Sequence, residues 1–196
     1  MMSSSVNLFG KFDLELSKYD IVIFDIDGVV NKTLPWKLEK KLTRDEWKLL
    51  KTHTDCTDIF KKTIKIIKQI KIPFAFITGR RPEHNLITEE MFQRAGLKFI
   101  KNKKKKKFIY YYRDKWEVEE YVNFKKDTIK DFLQFYKDVV YFDDSEEVVK
   151  HLKKMISSSQ FKVFHYHAGY MDNLDIFPQL REKISLLMEN IDVKNK

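Results

Sequence analysis

The sequence predicts an α/β fold in which helices cover both faces of a mainly parallel sheet. Short, continuous apolar runs predict strands that are buried on both faces, as in parallel sheets. Amphipathic helical patterns separate these runs, and this alternation is typical of right-handed crossovers between parallel strands. The four predicted strands are residues 21–24, 74–77, 139–142 and 161–166.

Length and composition favour one domain with a proper core, since the chain has 196 residues of which 43% are hydrophobic. We expect residues 1–18 to be an N-terminal extension and residues 19–196 to form the domain. Cys56 is the only cysteine, which excludes an internal disulfide and fits a reducing compartment. Because no apolar run is long enough for a bilayer and no signal-peptide pattern is present, we expect a cytoplasmic protein without a membrane partner.

The formal net charge of +9 favours an anionic partner through long-range attraction. Lysine dominates the basic residues, and such a bias can equally come from an AT-rich coding sequence. The charge therefore supports a polyanionic substrate without establishing one.

Two helices are predicted, one before and one after the second strand. Residues 57–70 carry apolar side chains at helical spacing, and Pro73 ends this pattern. A second helix should begin at Pro82, which suits a first helical turn, and should end at Gly96 as a C-terminal cap.

The middle of the chain gives weaker signals. Residues 97–124 are expected to be irregular, although the aromatic run at 108–112 could be a buried strand. A third helix is expected to begin near Lys126, because its apolar stripe starts at Ile129. Two further helices are predicted over residues 148–155 and 180–191.

Polar side chains end three of the predicted strands. Asp25 and Asp27 follow the first, Thr78 ends the second, and Asp143 and Asp144 follow the third. In an open α/β sheet these positions meet at one edge, where ligands bind. Carboxylates at buried strand ends need neutralisation, and a divalent cation with a preference for oxygen would supply it. Three unrelated acidic or hydroxyl turns are the alternative, since Asp and Gly are common turn residues.

The residues that end these strands fit a known pattern. The segments Asp25-Ile-Asp27-Gly28, Phe76-Ile-Thr78-Gly79-Arg80 and Tyr141-Phe142-Asp143-Asp144 together resemble the haloacid dehalogenase (HAD) superfamily of phosphotransferases. The superfamily also has a lysine at the start of the helix before the last of these strands. Lys125 or its neighbour Lys126 matches it, and spacing favours Lys125. The resemblance covers residues 19–168 and implies a Rossmann-like, three-layer α/β/α fold.

The resemblance also implies a role for each residue. Asp25 would attack phosphorus, and Asp27 would act as the general acid and base. Mg²⁺ would be held by Asp25, Asp143 and the main-chain carbonyl of Asp27, with Asp144 supporting the metal site. The implied phosphate-binding residues are Thr78, Gly79 and Lys125. As alternatives, Lys125 is a solvated helix lysine, and Asp144 with Ser145 caps the next helix.

The resemblance to the superfamily also suggests which class of phosphate ester is the substrate. The intervals between the motifs are short for a large cap domain, so we expect a minimal cap or none and an open site that suits a polymer end. Residues 125–149 and 161–169 look like the phosphatase half of polynucleotide kinase-phosphatases and related RNA-repair proteins. Ser145 stands where those proteins often have Arg, and the chain contains no kinase P-loop motif.

The leading hypothesis is therefore a Mg²⁺-dependent phosphatase of nucleic acid 3′ ends. A phosphatase of nucleotides or other small phosphoesters is the first alternative, and a nucleic-acid-binding protein with an inactive site is the second. The candidate nucleic-acid contacts are Arg80, Lys103, Lys104, Lys105, Lys106 and Lys107. For the lysines, a solvated loop is the slightly favoured alternative.

Two remaining features are weak signals. His165 and His167 alternate on one face of a strand, but two histidines without a third ligand favour ordinary packing or surface positions over a metal site. The C-terminal helix leaves a dimer open, and packing against its own sheet, as a monomer, is the simpler expectation.

Overall fold

The computed structural model of the chain describes residues 16–32, 58–59, 61–80, 85–97, 109–111 and 118–167, together with Glu182 and Leu186. The lysine run, Pro82 and nearly all of the N-terminal extension and the C-terminal helix lie outside these residues. In chain order the elements are β1 (Ile21–Phe24), β2 (Asn31–Lys32), β3 (Asp58–Ile59), α1 (Lys61–Gln69), β4 (Phe74–Thr78), α2 (Asn85–Arg94), β5 (Ile109–Tyr111), α3 (Val118–Leu133), β6 (Val139–Asp143), α4 (Glu146–Met155) and β7 (Phe161–His165).

Among the residues described, five strands form a parallel sheet in the order β5-β4-β1-β6-β7. The prediction of an α/β fold with a mainly parallel sheet is thus confirmed. From β1 the chain adds β4 and β5 on one side and then returns to add β6 and β7 on the other. The strand order therefore reverses between β1 and β6, and such a switch point opens a crevice at the carboxyl ends of the strands.

Alternate residues of each strand feed two separate hydrophobic clusters. Val22 and Phe24 belong to the cluster that α1 and α2 join through side chains such as Ile67 and Phe92. Ile21 and Ile23 belong to the cluster that α3 and α4 join. Helices thus pack on both faces of the sheet, which explains why the strands read as continuous apolar runs.

The predicted start of α3 near Lys126 is wrong, because the helix begins at Val118. Val122, Lys125, Ile129 and Phe132 are all buried at helical spacing. The charge of Lys125 interrupts the apolar stripe in the sequence, so the first turns of the helix look irregular. Because α3 begins at Val118, Lys125 lies in the middle of the helix rather than at its start.

Two other short segments differ from the expectation. Residues 58 and 59, expected in a helix, instead pair antiparallel with residues 31 and 32 as β3 and β2. Residues 109–111 pair with β4 and, among the described strands, lie at the edge of the sheet, so these residues of the aromatic run form a strand.

The predicted end of α2 at Gly96 is confirmed. Gly96 has a φ of 73°, and its N–H donates to the carbonyl of Gln93 at 2.8 Å. The N–H of Leu97 donates to the carbonyl of Phe92 at 2.9 Å. These two bonds are the glycine-dependent Schellman arrangement that ends many helices.

Within the described part of the chain, no helix combines the length and the apolar character that a membrane crossing requires.

Candidate active site

The switch point between β1 and β6 carries the first functional side chains. Asp25 directly follows β1, and its N–H donates to the carbonyl of Phe142 at 2.8 Å, so it stays in register with the sheet. By strand alternation, Asp25 follows Ile21 and Ile23, and Asp143 follows Tyr141, on the face that α3 covers. Both carboxylates are therefore on the side of the sheet where Lys125 lies.

Three carboxylates meet at this edge. Asp25, Asp143 and Asp144 each offer an oxygen within 4.8 Å of the other two, and these are the one such group among the described residues. Asp25 is 4% exposed and Asp143 is fully buried. The structure thus brings together residues from two strand ends that are far apart in the sequence.

Lys125 is the cation inside this acidic cluster. Its Nζ lies 2.6 Å from Asp143 Oδ2 and 3.3 Å from Asp25 Oδ2, and its side chain is fully buried. Lys126 instead bonds the side chain of Asn123 at 2.9 Å. Of the two lysines that spacing allowed, Lys125 is the one that reaches the cluster.

Burial and charge act in opposite directions on these groups. Burial alone lowers the pKa of Lys125, but the carboxylates of Asp143 and Asp25 outweigh it and raise that pKa well above its usual value. The lysine therefore remains protonated. Burial raises the pKa of Asp25 well above its usual value despite Lys125, and the neighbouring carboxylates of Asp143 and Asp144 raise it further.

Tyr141 was missed in the sequence, although it fixes the most buried carboxylate. Its hydroxyl donates to Asp143 Oδ2 at 2.6 Å, and the N–H of Ser145 donates to Asp143 Oδ1 at 2.9 Å. A tyrosine two residues before an aspartate on a buried strand points to the same face, which is the signal that could have identified it. Ser145, rather than Asp144, caps α4 by accepting from the N–H of Val148.

One oxygen of Asp25 is left without a partner. Oδ1 is buried, and it has no hydrogen bond among the described residues. A buried carboxylate oxygen in this state is costly unless a cation or donor reaches it. Three carboxylates against one lysine leave a net negative charge, and hard oxygen donors are the set that Mg²⁺ prefers.

Asp27 is held apart from the three clustered carboxylates. Its side chain accepts from Arg80 at both oxygens, at 2.9 and 3.2 Å, and from the Asn31 amide at 3.3 Å. Arg80, expected among the nucleic-acid contacts, is only 3% exposed, because its guanidinium is committed to Asp27 and to Thr88. Asp27 itself is 15% exposed and so reaches the surface of the site.

Two glycines allow close approach around the cluster. Gly28 has a φ of 79°, and a β-carbon there would overlap the carboxylate of Asp144. At Gly79 a β-carbon would come within 2.9 Å of the Tyr121 ring. The neighbouring Thr78 is fully buried at the end of β4, and its hydroxyl accepts from the N–H of Arg80 at 3.1 Å.

His165 is the last residue of β7, which pairs with β6 on the side away from β1, and His167 follows two residues later. His165 pairs with Asp143 in the sheet, and its Nε2 lies 2.8 Å from the carbonyl of Asp144. Partial burial lowers the pKa of His167, and the nearby His165 lowers it further. Neither histidine belongs to the group of three potential ligands among the described residues. The lysines at 103–107 are outside the described part of the chain.

Comparison with known proteins gives no relative: no family model, no curated protein and no solved structure matches the chain.

Proposed function

We propose that this protein is a Mg²⁺-dependent phosphomonoesterase of the HAD type that works through an aspartyl-phosphate on Asp25. The observation that carries the proposal is the meeting of Asp25, Asp143, Asp144 and Lys125 at one sheet edge. A lysine and three carboxylates at a switch point combine a nucleophile, a divalent cation site and a phosphate-binding cation.

The chain's own residues fit the metal that the proposal requires. Asp25 Oδ1 is a buried oxygen without a hydrogen-bond partner among the described residues, and Asp143 and Asp144 each offer an oxygen within 4.8 Å of a carboxylate oxygen of Asp25. These three residues would hold Mg²⁺, with the main-chain carbonyl of Asp27 as a further oxygen donor. Bound there, the ion would reduce the repulsion between the Asp25 carboxylate and the incoming phosphate.

Asp25 and Asp27 carry the two chemical steps. A carboxylate oxygen of Asp25 forms a bond to phosphorus while the bond from phosphorus to the leaving oxygen breaks. Asp27, protonated from solvent before this step, gives that proton to the leaving oxygen, so the product leaves as an alcohol. Asp27 then takes a proton from water, whose oxygen attacks the phosphorus of the aspartyl-phosphate and releases inorganic phosphate and free Asp25.

Three other groups would hold the phosphoryl oxygens. Lys125 is protonated and stands next to Asp25, so its ammonium favours the negative charge that builds up during transfer. Thr78 and the Gly79 N–H lie at the end of the neighbouring strand β4. Their donors would orient the phosphate for attack by Asp25.

We further propose that the substrate is a terminal phosphate of nucleic acid, with a 3′ end as the leading choice. The net charge of +9 supports an anionic polymer, and the short intervals between the motifs support an open site. Asp27 is partly exposed, which suits a leaving group that extends out of the site.

The test is phosphate release from matched substrates. Purified protein with Mg²⁺ is given a 3′-phosphorylated oligonucleotide, its 5′-phosphorylated isomer, mononucleotides, sugar phosphates and an aryl phosphate, with Asp25→Asn as the control protein. Release from the 3′-phosphorylated oligonucleotide that exceeds the others and disappears in the control supports the proposal. Release equal to the control on every substrate contradicts phosphatase activity, and a preference for small phosphates contradicts the polymer substrate.

A further inference from the structure

We propose that the Lys125 ammonium and the divalent cation exchange places at Asp143, so that this lysine sets how tightly the site binds metal. The inference rests on the cation of the proposed function but not on the phosphatase reaction. In it, Lys125 is a positioning residue for the metal site as well as a group that binds phosphate.

The first step is the saturation of one oxygen. Asp143 Oδ2 accepts from both Lys125 Nζ and the Tyr141 hydroxyl, each at 2.6 Å. A carboxylate oxygen has about two lone-pair positions. Oδ1 already accepts from the Ser145 N–H, and the cation is placed on Oδ2, where it must displace one of the two donors.

The second step identifies the donor that can leave. The Tyr141 ring is fully buried within β6, so its hydroxyl moves only if the strand moves. The ammonium of Lys125 stands on a four-carbon stem with rotatable bonds. Lys125 is therefore the partner that yields when a metal ion arrives.

The third step is a second position for the displaced ammonium. Lys125 Nζ already lies 3.3 Å from Asp25 Oδ2 and 4.3 Å from the centroid of the Tyr121 ring. The face of a tyrosine ring attracts a cation. Since the Tyr121 ring packs closely on Gly79, this face stays in place while Asp143 changes partner.

The Lys125 ammonium and the metal ion therefore compete for the same carboxylates. In the metal-free protein the ammonium compensates the repulsion among Asp25, Asp143 and Asp144 and holds the carboxylates together. When metal binds, the same positive charge opposes it. A neutral side chain at position 125 should thus strengthen metal binding and weaken the metal-free fold.

The experiment compares Lys125→Met with the matched control Lys126→Met, whose ammonium contacts Asn123 instead. Mn²⁺ binding is measured directly, by the loss of the free-ion EPR signal, at the same pH for every protein. Lys125→Met should bind Mn²⁺ roughly tenfold more tightly or better, since a unit charge a few ångströms away exceeds one tenfold step in affinity even at a protein-like dielectric. Its metal-free unfolding temperature should fall and recover with Mn²⁺, while Lys126→Met should match the wild type in both measurements.

A second variant must change affinity in the opposite direction. Tyr121→Leu removes the ring that receives the displaced ammonium, so it should weaken Mn²⁺ binding. General damage to the site would weaken binding in both variants. Unchanged or weaker binding by Lys125→Met, or unchanged or tighter binding by Tyr121→Leu, overturns the proposal.

Crystal structures of the wild type with and without Mn²⁺ keep the proposal testable even if Lys125→Met does not fold. The distance from Lys125 Nζ to Asp143 Oδ2 should lengthen beyond hydrogen-bond range when Mn²⁺ is bound, and a distance that stays at 2.6 Å overturns the exchange. Metal exchange in a protein that releases no phosphate would contradict the proposed function alone. Metal-dependent phosphate release without the exchange would contradict this inference alone.

Discussion

Arg80 donates hydrogen bonds to both carboxylate oxygens of Asp27, from Nη2 to Oδ1 at 2.9 Å and from Nε to Oδ2 at 3.2 Å. The remaining guanidinium nitrogen, Nη1, donates to the hydroxyl of Thr88 at 3.1 Å. Because Thr88 belongs to α2, this helix also fixes the position of the guanidinium. A planar guanidinium matched to two carboxylate oxygens fixes orientation as well as charge. The two contacts from Arg80 therefore hold the Asp27 carboxylate in one orientation, although Asp27 lies in the loop after β1 rather than within a strand or helix.

Replacing Arg80 should therefore impair the acid step more than phosphoryl transfer itself. We expect Arg80→Met to lower kcat roughly 100-fold on a 3′-phosphorylated oligonucleotide, because Asp27 loses its fixed position. The loss should be smaller on an aryl phosphate, whose leaving group needs little protonation. Steady-state kinetics on the two substrates check this, and Thr88→Val, which leaves the Arg80–Asp27 contact in place, serves as the milder control. Equal losses on both substrates would remove Asp27 from the acid role.

Asp25→Asn should separate activity from stability. Loss of the nucleophile should reduce turnover by roughly 10³-fold or more, as for other residues that form a covalent intermediate. The metal-free variant should nevertheless unfold at a higher temperature than the wild type at neutral pH, because it no longer buries a carboxylate whose charged form is disfavoured. Turnover near the wild-type rate would contradict the proposed mechanism.

The pH dependence of that stability difference follows from the direction of the pKa shift. Burial raises the pKa of Asp25 in the folded protein above the ordinary value of 3.8. The wild type therefore keeps the contribution of protonated Asp25 below that value and loses it as the pH rises through the raised pKa. Thermal unfolding in EDTA should show the two proteins converging at acid pH and separating as the pH rises. A difference that is constant across this range would indicate that Asp25 is not the group responsible.

The sequence locates most of the candidate site because strand ends of a parallel sheet follow from apolar runs. Asp25, Asp143 and Asp144 come together by this rule alone. What it does not reveal is which side chains pair within the site. Lys125 interrupts an apolar stripe that continues in the folded helix, and this hides the start of α3. Arg80 looks exposed between a glycine and a second arginine, yet its partner Asp27 is 53 residues away in the chain. No local pattern specifies that contact.

The choice of divalent cation offers a further test. Chelation should stop turnover and Mg²⁺ should restore it, since the three clustered carboxylates, one of them with a buried oxygen that lacks a hydrogen bond among the described residues, suit a small ion with octahedral geometry. Ca²⁺ should occupy the site without supporting turnover, because its larger and looser coordination misplaces the phosphate. Phosphate release in the presence of each ion, after exhaustive chelation, checks this. Full activity in the chelated protein would contradict a metal role for Asp143.

The lysine run at 103–107 gives the last prediction, which decides between a polymer and a small substrate. If these side chains contact phosphates beyond the scissile one, replacing all five with Gln should raise KM for the oligonucleotide with little change in kcat, since such binding is equal in the ground and transition states. Hydrolysis of an aryl phosphate should be unaltered, because the residues around Asp25 are untouched. The logarithmic salt dependence of oligonucleotide binding should flatten by roughly 0.7 for each phosphate of a single strand that the variant no longer neutralises.

A control with the same change in net charge separates direct binding from general attraction. Five exposed lysines on α1, on the turn after it and on α4 are replaced with Gln, namely Lys65, Lys68, Lys71, Lys153 and Lys154. General attraction to a polyanion depends on total charge, so it would raise KM equally in both variants. Direct binding would raise it only when residues 103–107 change. If the first variant keeps wild-type KM and salt slope, the run does not bind substrate, and a small phosphoester becomes the favoured substrate of the site.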